Sequence, residues 1–94
     1  MDDKTKLVLV RCARVYISTK NWARAISEYE NLRKDFPEDP YIVEPLAKAY
    51  YEIGDRIKAK ELYENVRQIY ISKGDEQKAE RVKRDMDLMF PPGT

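Results

Sequence analysis

The fold of this chain follows from residues 9–32, LVRCARVYISTKNWARAISEYENL, which recur 34 residues later as residues 43–66, VEPLAKAYYEIGDRIKAKELYENV. The repeat is defined by seven pairs of positions that are apolar or aromatic in both segments: Leu9/Val43, Cys12/Leu46, Ala13/Ala47, Tyr16/Tyr50, Ala25/Ala59, Tyr29/Tyr63 and Leu32/Val66. A fixed period of about 34 residues with small and large apolar positions indicates stacked helical hairpins. Because stacked hairpins build extended binding surfaces, the pattern favours a protein that binds other chains over an enzyme.

The composition fits one small helical domain. The chain has 94 residues, 37% of them charged, and only three glycines, and its abundant Lys, Glu, Arg, Leu and Ala form helices well. Its 18 basic and 17 acidic residues nearly cancel, so no basic stripe indicates nucleic-acid binding. The longest apolar run, residues 7–10, is too short to span a membrane or to form a signal-peptide core. We therefore expect a cytoplasmic protein, or an excised domain of one, with no nucleic-acid or membrane partner.

Capping residues divide the chain into five helices. The first is expected to be capped by Asp3 or Thr5 and to run to about Ser18. The other four begin after the capping residues Asn21, Asp39, Asp55 and Asp75. Because Pro45 lies inside the third helical segment, we expect that helix to become regular only near Glu44, after a looser first turn. Loops of about two to four residues require neighbouring helices to be antiparallel.

The last helix is expected to end the stack. The turn, cap and alanine of residues 54–59 recur at residues 74–79, only 20 positions later, so a third complete hairpin does not fit. One stripe of the last helix is apolar, at Ala79, Val82, Met86 and Met89. A helix with one apolar stripe and an opposite polar face suits the role of a cap that shields the core from solvent.

These residues resemble the tetratricopeptide repeat family. Small residues stand where the family's helices cross closely and aromatic residues where they splay, while Pro37 and Gly54 match its terminal proline and its turn. Alanine replaces the family's usual glycine in both repeats, at Ala13 and Ala47. The resemblance implies an all-α fold of two tetratricopeptide-like helical hairpins, about residues 6–39 and 40–73, plus a C-terminal capping helix at about 75–90. These five antiparallel helices would form a short right-handed α-solenoid, a single domain over residues 1–94.

The residues needed for catalysis are scarce. The chain has no histidine, the commonest general base and metal ligand. Cys12 is the only cysteine and occupies one of the repeated apolar positions, so we expect a buried small hydrophobe and not a nucleophile. We therefore predict no catalytic, cofactor-binding or metal-binding residues, and no enzyme activity.

In the resembled family, the inner helix of each hairpin lines a concave groove that holds partner segments. Counted at helical spacing, the groove residues predicted here are Leu7, Val10, Arg14, Ile17, Tyr41, Glu44, Lys48 and Tyr51. A lining that mixes apolar and basic residues would suit an apolar segment carrying an acidic group. The predicted function is thus a protein–protein interaction module, an adaptor or scaffold. The alternative interpretation of Leu7 and Val10 is local packing.

The first helix suggests a second surface. Residues 7–10, 12–13 and 15–17 are apolar. A helix that is apolar on nearly all sides is normally packed against neighbours on more than one of them. A second copy of the chain, a preceding repeat of a longer protein, or a ligand would supply it. The alternative function is therefore self-association or regulation through this helix. The chain in that case is either a fragment of a larger multidomain protein or a protein by itself. Trp22 is either a packing residue or an anchor for a partner.

Overall fold

The computed structural model describes residues 1–93, and over that range the chain forms five α-helices and no strand. The helices are α1 (Asp3–Ser18), α2 (Trp22–Asp35), α3 (Pro40–Glu52), α4 (Arg56–Ser72) and α5 (Glu76–Met89). Each helix packs on its neighbours in sequence, and α1 also touches α3. The predicted all-α helical-repeat fold is confirmed.

An acidic or amide side chain caps each helix. The capping residues are Asp2, Asn21, Asp39, Asp55 and Asp75, whose side-chain oxygens accept hydrogen bonds from backbone N–H groups of the first turn. The prediction for α1 was wrong, because Asp3 is already helical and Asp2 accepts the bond from the Thr5 N–H at 2.7 Å. This hydrogen bond holds the pKa of Asp2 below its ordinary value.

The first turn of α3 is regular, so the expected late start near Glu44 was also wrong. Pro40 is the first helical residue, a position where proline loses no hydrogen bond. Pro45 removes one internal hydrogen bond, at a cost of about 3 kcal/mol. Burial of each large aliphatic side chain stabilises the folded protein by roughly 1.5–3 kcal/mol, which offsets this cost. The side chains around the proline are completely buried: Ile42, Val43, Leu46, Ala47 and Ala49. The helix therefore continues through Pro45.

The core repeats the small and large positions of the sequence. Its small members, which allow helices to approach closely, are completely buried: Ala13, Ala25, Ala47 and Ala59. Tyr29 and Leu32 of α2 fill wider spaces and are also completely buried. Trp22 is partly buried and packs against this core.

Cys12 contradicts the expectation of burial, because its side chain is exposed. The equivalent residue of the second repeat, Leu46, is completely buried, since α2 of the preceding hairpin packs on α3. Within residues 1–93, α1 has no such preceding neighbour. Two further pairs of equivalent residues show the same contrast. Val8 and Val15 of α1 are each 58% exposed, whereas their equivalents in α3, Ile42 and Ala49, are completely buried. We call the exposed set Val8, Cys12 and Val15 the N-terminal stripe.

Candidate functional site

A groove of about 770 Å³ is lined by residues of all five helices. Its volume lies within the range of about 300–1,000 Å³ that is typical of ligand-binding sites. Six of the eight predicted groove residues lie in it together: Val10, Arg14 and Ile17 of α1, and Tyr41, Glu44 and Lys48 of α3. They share one face of each helix because residues three, four and seven positions apart are neighbours on a helix surface.

The structure places Leu7 and Tyr51 outside this groove. Leu7 is 51% exposed, near the start of α1. The rings of Tyr51 and Phe90 pack perpendicular to each other, with centroids 5.6 Å apart. The Arg56 guanidinium lies 5.6 Å from the centroid of the Tyr51 ring. Helical spacing from Lys48 did not reveal this, because Phe90 follows α5 and reaches Tyr51 only through the tertiary fold.

Glu44 is the acidic side chain of the groove, and Arg81 binds it. The Arg81 guanidinium donates hydrogen bonds to both Glu44 carboxylate oxygens, at 2.8 and 2.9 Å, and to Asp85 at 3.1 Å. The hydrogen bonds with Glu44 raise the pKa of Arg81 above its ordinary value. Arg81 also lines the groove, and sequence analysis missed it because no helical spacing relates residues 37 positions apart.

Two cations of the groove have no charged partner. Arg14 and Lys48 form no ion pair with any residue between 1 and 93, and both are exposed. Lys78, by contrast, pairs with Asp75 at 3.6 Å. Since Arg81 neutralises Glu44, the unpaired charges leave the groove with an excess of positive charge.

Tyrosines from the second helix of each hairpin also line the groove. Tyr29 is completely buried, and its hydroxyl has no hydrogen-bond partner in the described part of the chain. Burial raises the pKa of Tyr29, and the positive charge of Arg14 opposes that rise. Burial and the negative charge of Glu44 raise the pKa of Tyr63, the equivalent residue in the second repeat. A buried hydroxyl without a partner costs about 1–3 kcal/mol, so the Tyr29 hydroxyl is a candidate contact for a ligand.

A second concavity of about 630 Å³ adjoins the groove, and residues shared by both include Tyr41 and Tyr70. Lys6 lies in it, 2.6 Å from the Asp39 carboxylate and 4.3 Å from the centre of the Phe36 ring. The concave surface therefore continues beyond Tyr41.

Residues 1–93 contain neither a metal-binding cluster nor a helix that could span a membrane. No group of three or more His, Cys, Asp or Glu residues there can hold a metal ion. None of the five helices combines the length and the apolar character that a membrane span requires.

Residues 8–39 match the family model of the tetratricopeptide repeat. The match covers most of α1, all of α2 and the loop up to Asp39. The first hairpin thus matches a tetratricopeptide repeat, which supports the family predicted from the sequence. Repeats of this family are generally protein-interaction modules. Comparison with curated proteins and with solved structures gave no match.

Proposed function

We propose that this chain is a protein–protein interaction module, an adaptor or scaffold, that binds a segment of a partner protein in its groove and carries out no catalysis. The observation that carries the proposal is the groove of about 770 Å³, which combines aromatic and aliphatic walls with unpaired cations. Rigid helices lose little conformational entropy when a ligand binds, so more of the interaction energy appears as affinity. The single cysteine allows no internal disulfide, which supports a cytoplasmic location.

The lining indicates the composition of the segment. Val10, Ile17 and Tyr41 offer apolar surface, which favours aliphatic or aromatic side chains in the ligand. Arg14 and Lys48 offer positive charge without internal partners, which favours a ligand with acidic groups. The proposed ligand is therefore a peptide segment that is both apolar and acidic.

An array of synthetic peptides that vary apolar and acidic residues independently tests the proposal. We expect the labelled protein to bind peptides that combine both, and Lys48→Glu to weaken that binding because it reverses a groove charge. Lys60→Glu is the matched control, since Lys60 is an exposed lysine of α4 outside the groove. Equal weakening by both variants would indicate unspecific charge attraction and overturn groove binding, as would an array with no bound peptide.

The second candidate is self-association through the N-terminal stripe. Val8 and Val15 are exposed although their equivalents are completely buried, which supports a missing neighbour on this side. We propose a second copy of the chain as that neighbour. In an antiparallel pair of α1 helices centred between residues 11 and 12, Val8 would oppose the partner's Val15. The apolar surfaces of the two copies would then face each other.

Sedimentation velocity up to high micromolar concentration tests this candidate. We expect the wild type to dimerise and Val8→Asp to remain monomeric, because a carboxylate would be buried in the interface. Ile57→Asp is the matched control, since Ile57 is 85% exposed on α4 and should leave the dimer intact. A wild type that is monomeric at all concentrations, or an Ile57→Asp variant that is equally monomeric, would contradict the candidate.

A further inference from the structure

The two unpaired cations of the groove are equivalent residues of successive repeats. Arg14 and Lys48 are 34 positions apart, and each lines the groove from its own helix. Helices α1 and α3 touch, and packed helices lie with their axes about 8–10 Å apart. The geometry of the repeat therefore sets the distance between the two charges. The other groove cations, Lys78 and Arg81, already have carboxylate partners.

The acidic residue of the groove does not oppose an acidic ligand. Glu44 lies between the two cations in sequence, and a free carboxylate there would repel a second one. Its two oxygens accept hydrogen bonds from Arg81 at 2.8 and 2.9 Å, so the charge is compensated. The capping helix α5 thereby affects the groove, although it is not an inner helix of a hairpin.

A hydrogen-bond donor accompanies one of the two cations. The Tyr29 hydroxyl is buried without a partner in the described residues, and Tyr29 lines the same groove. Arg14 lies near enough for its charge to lower the pKa of Tyr29 against the effect of burial. A carboxylate bound to Arg14 would supply the acceptor that this hydroxyl lacks.

We propose that the groove selects an extended segment in which two acidic side chains stand two residues apart, one binding Arg14 and the other Lys48. An extended chain advances about 3.3 Å per residue and places residues i and i+2 on the same face, so two residues cover roughly 7 Å, close to the separation of packed helices. The acids belong to side chains within the segment and not to a chain end, because the groove continues past Tyr41 into the second concavity. This proposal rests on groove binding as the function and adds the chemistry of the partner.

Fluorescence anisotropy with four labelled peptides on the full chain is the test. All four share the same apolar residues and length, and three have amidated ends. The first carries two acids two residues apart, the second carries the same acids six residues apart, and the third replaces one acid of the first by its amide. The fourth is the third peptide with a free terminal carboxylate. We expect the first to bind about fivefold more tightly than the others, the effect of one further exposed charge pair.

Three variants assign the contacts. Arg14→Gln and Lys48→Gln are each expected to abolish the preference for the first peptide over the third. Tyr29→Phe is a conservative change, and circular dichroism checks that the variant folds. It is expected to weaken the binding of the first peptide several-fold. Arg67→Gln, on α4 and outside the groove, is the charge-matched control and should change nothing.

The outcomes separate this proposal from the function on which it rests. If all four peptides bind with equal affinity, groove binding stands and the selection of paired acids is overturned. If the fourth peptide binds best, the groove recognises a chain end and the internal segment is overturned. If no peptide binds, the proposed function fails as well.

Discussion

The guanidinium of Arg81 donates hydrogen bonds to both carboxylate oxygens of Glu44, at 2.8 and 2.9 Å. The pair connects α5, which packs on α4, directly to α3, which lines the groove. A helix that caps the core thus also compensates the acidic charge of the groove.

Arg81→Met is expected to lower the free energy of unfolding by about 1 kcal/mol, a value reduced by the partial exposure of the pair. The side chains of Arg81 and Glu44 are 40% and 26% exposed, so water screens part of their attraction. Urea denaturation measures the loss, and a double-mutant cycle with Glu44→Gln isolates the coupling. Lys48→Met removes an unpaired cation and should change stability by less than about 0.5 kcal/mol. Equal losses for both variants would show that the pair contributes nothing.

Equivalent positions of the two repeats should respond differently to truncation. Ile42→Ala is expected to cost about 2–5 kcal/mol, because it leaves a cavity in the core. Val8→Ala, at the equivalent exposed position, is expected to cost less than about 0.5 kcal/mol. The comparison requires a concentration at which only the monomer sediments. A comparable loss in Val8→Ala under that condition would mean that α1 is covered in the monomer.

Two tyrosine-to-phenylalanine changes should have opposite effects on the free energy of unfolding. Tyr29→Phe removes a buried hydroxyl without a partner and is expected to raise stability by up to about 1 kcal/mol. Tyr50→Phe removes the hydrogen bond from the Tyr50 hydroxyl to the Glu30 carboxylate, 2.9 Å long, and is expected to lower stability by about 1 kcal/mol. Thermal or urea unfolding provides the comparison. Destabilisation by Tyr29→Phe would indicate that its hydroxyl has a partner in solution.

The turn after α1 contains a residue in a conformation that favours glycine. Lys20 has a φ of 60°, and its equivalent Gly54 has a φ of 89°. Left-handed backbone costs a non-glycine residue roughly 1–2 kcal/mol, so Lys20→Gly is expected to stabilise the protein modestly. Gly54→Ala is expected to destabilise it by about 1 kcal/mol, and since nothing lies within 4 Å of an added Cβ there, the loss would report the backbone alone. A neutral Gly54→Ala would contradict the predicted strain.

Alkaline conditions are expected to destabilise the fold through its tyrosines. Burial, assisted by the hydrogen bond to Glu30, raises the pKa of Tyr50 from its ordinary value of 10.0 to about 12. Because the unfolded chain loses this proton first, the contribution is complete below pH 10 and is lost as the pH rises towards 12. Burial also raises the pKa values of Tyr29, Tyr63 and Tyr70.

Urea denaturation over a pH series, with phenolate absorbance recorded in parallel, measures this effect. The free energy of unfolding should fall above pH 10, and less steeply in Tyr50→Phe, which has no proton to lose at that position. A flat profile through this range would contradict the expectation.

Six of the fourteen groove residues were predictable, because their positions depend on local helix geometry. Arg14 and Lys48 face the groove since helical periodicity and the 34-residue period place them there. Tyr51 obeys the same periodicity, yet Phe90 covers it, and that contact depends on how the chain returns after α5. Cys12 occupies an apolar position of the repeat, yet it is exposed, because burial requires a neighbour as well as an apolar side chain.

The helices, the repeat and four of the five caps were predictable from the sequence, since capping hydrogen bonds and helical periodicity act over a few residues. Which charges remain unpaired and which apolar faces remain open depends instead on tertiary packing. Glu44 and Arg81 meet through the packing of α3, α4 and α5, and no local rule relates them. Val8 and Ile42 are equivalent in sequence but differ in exposure, because burial depends on the neighbours that the fold brings to each helix.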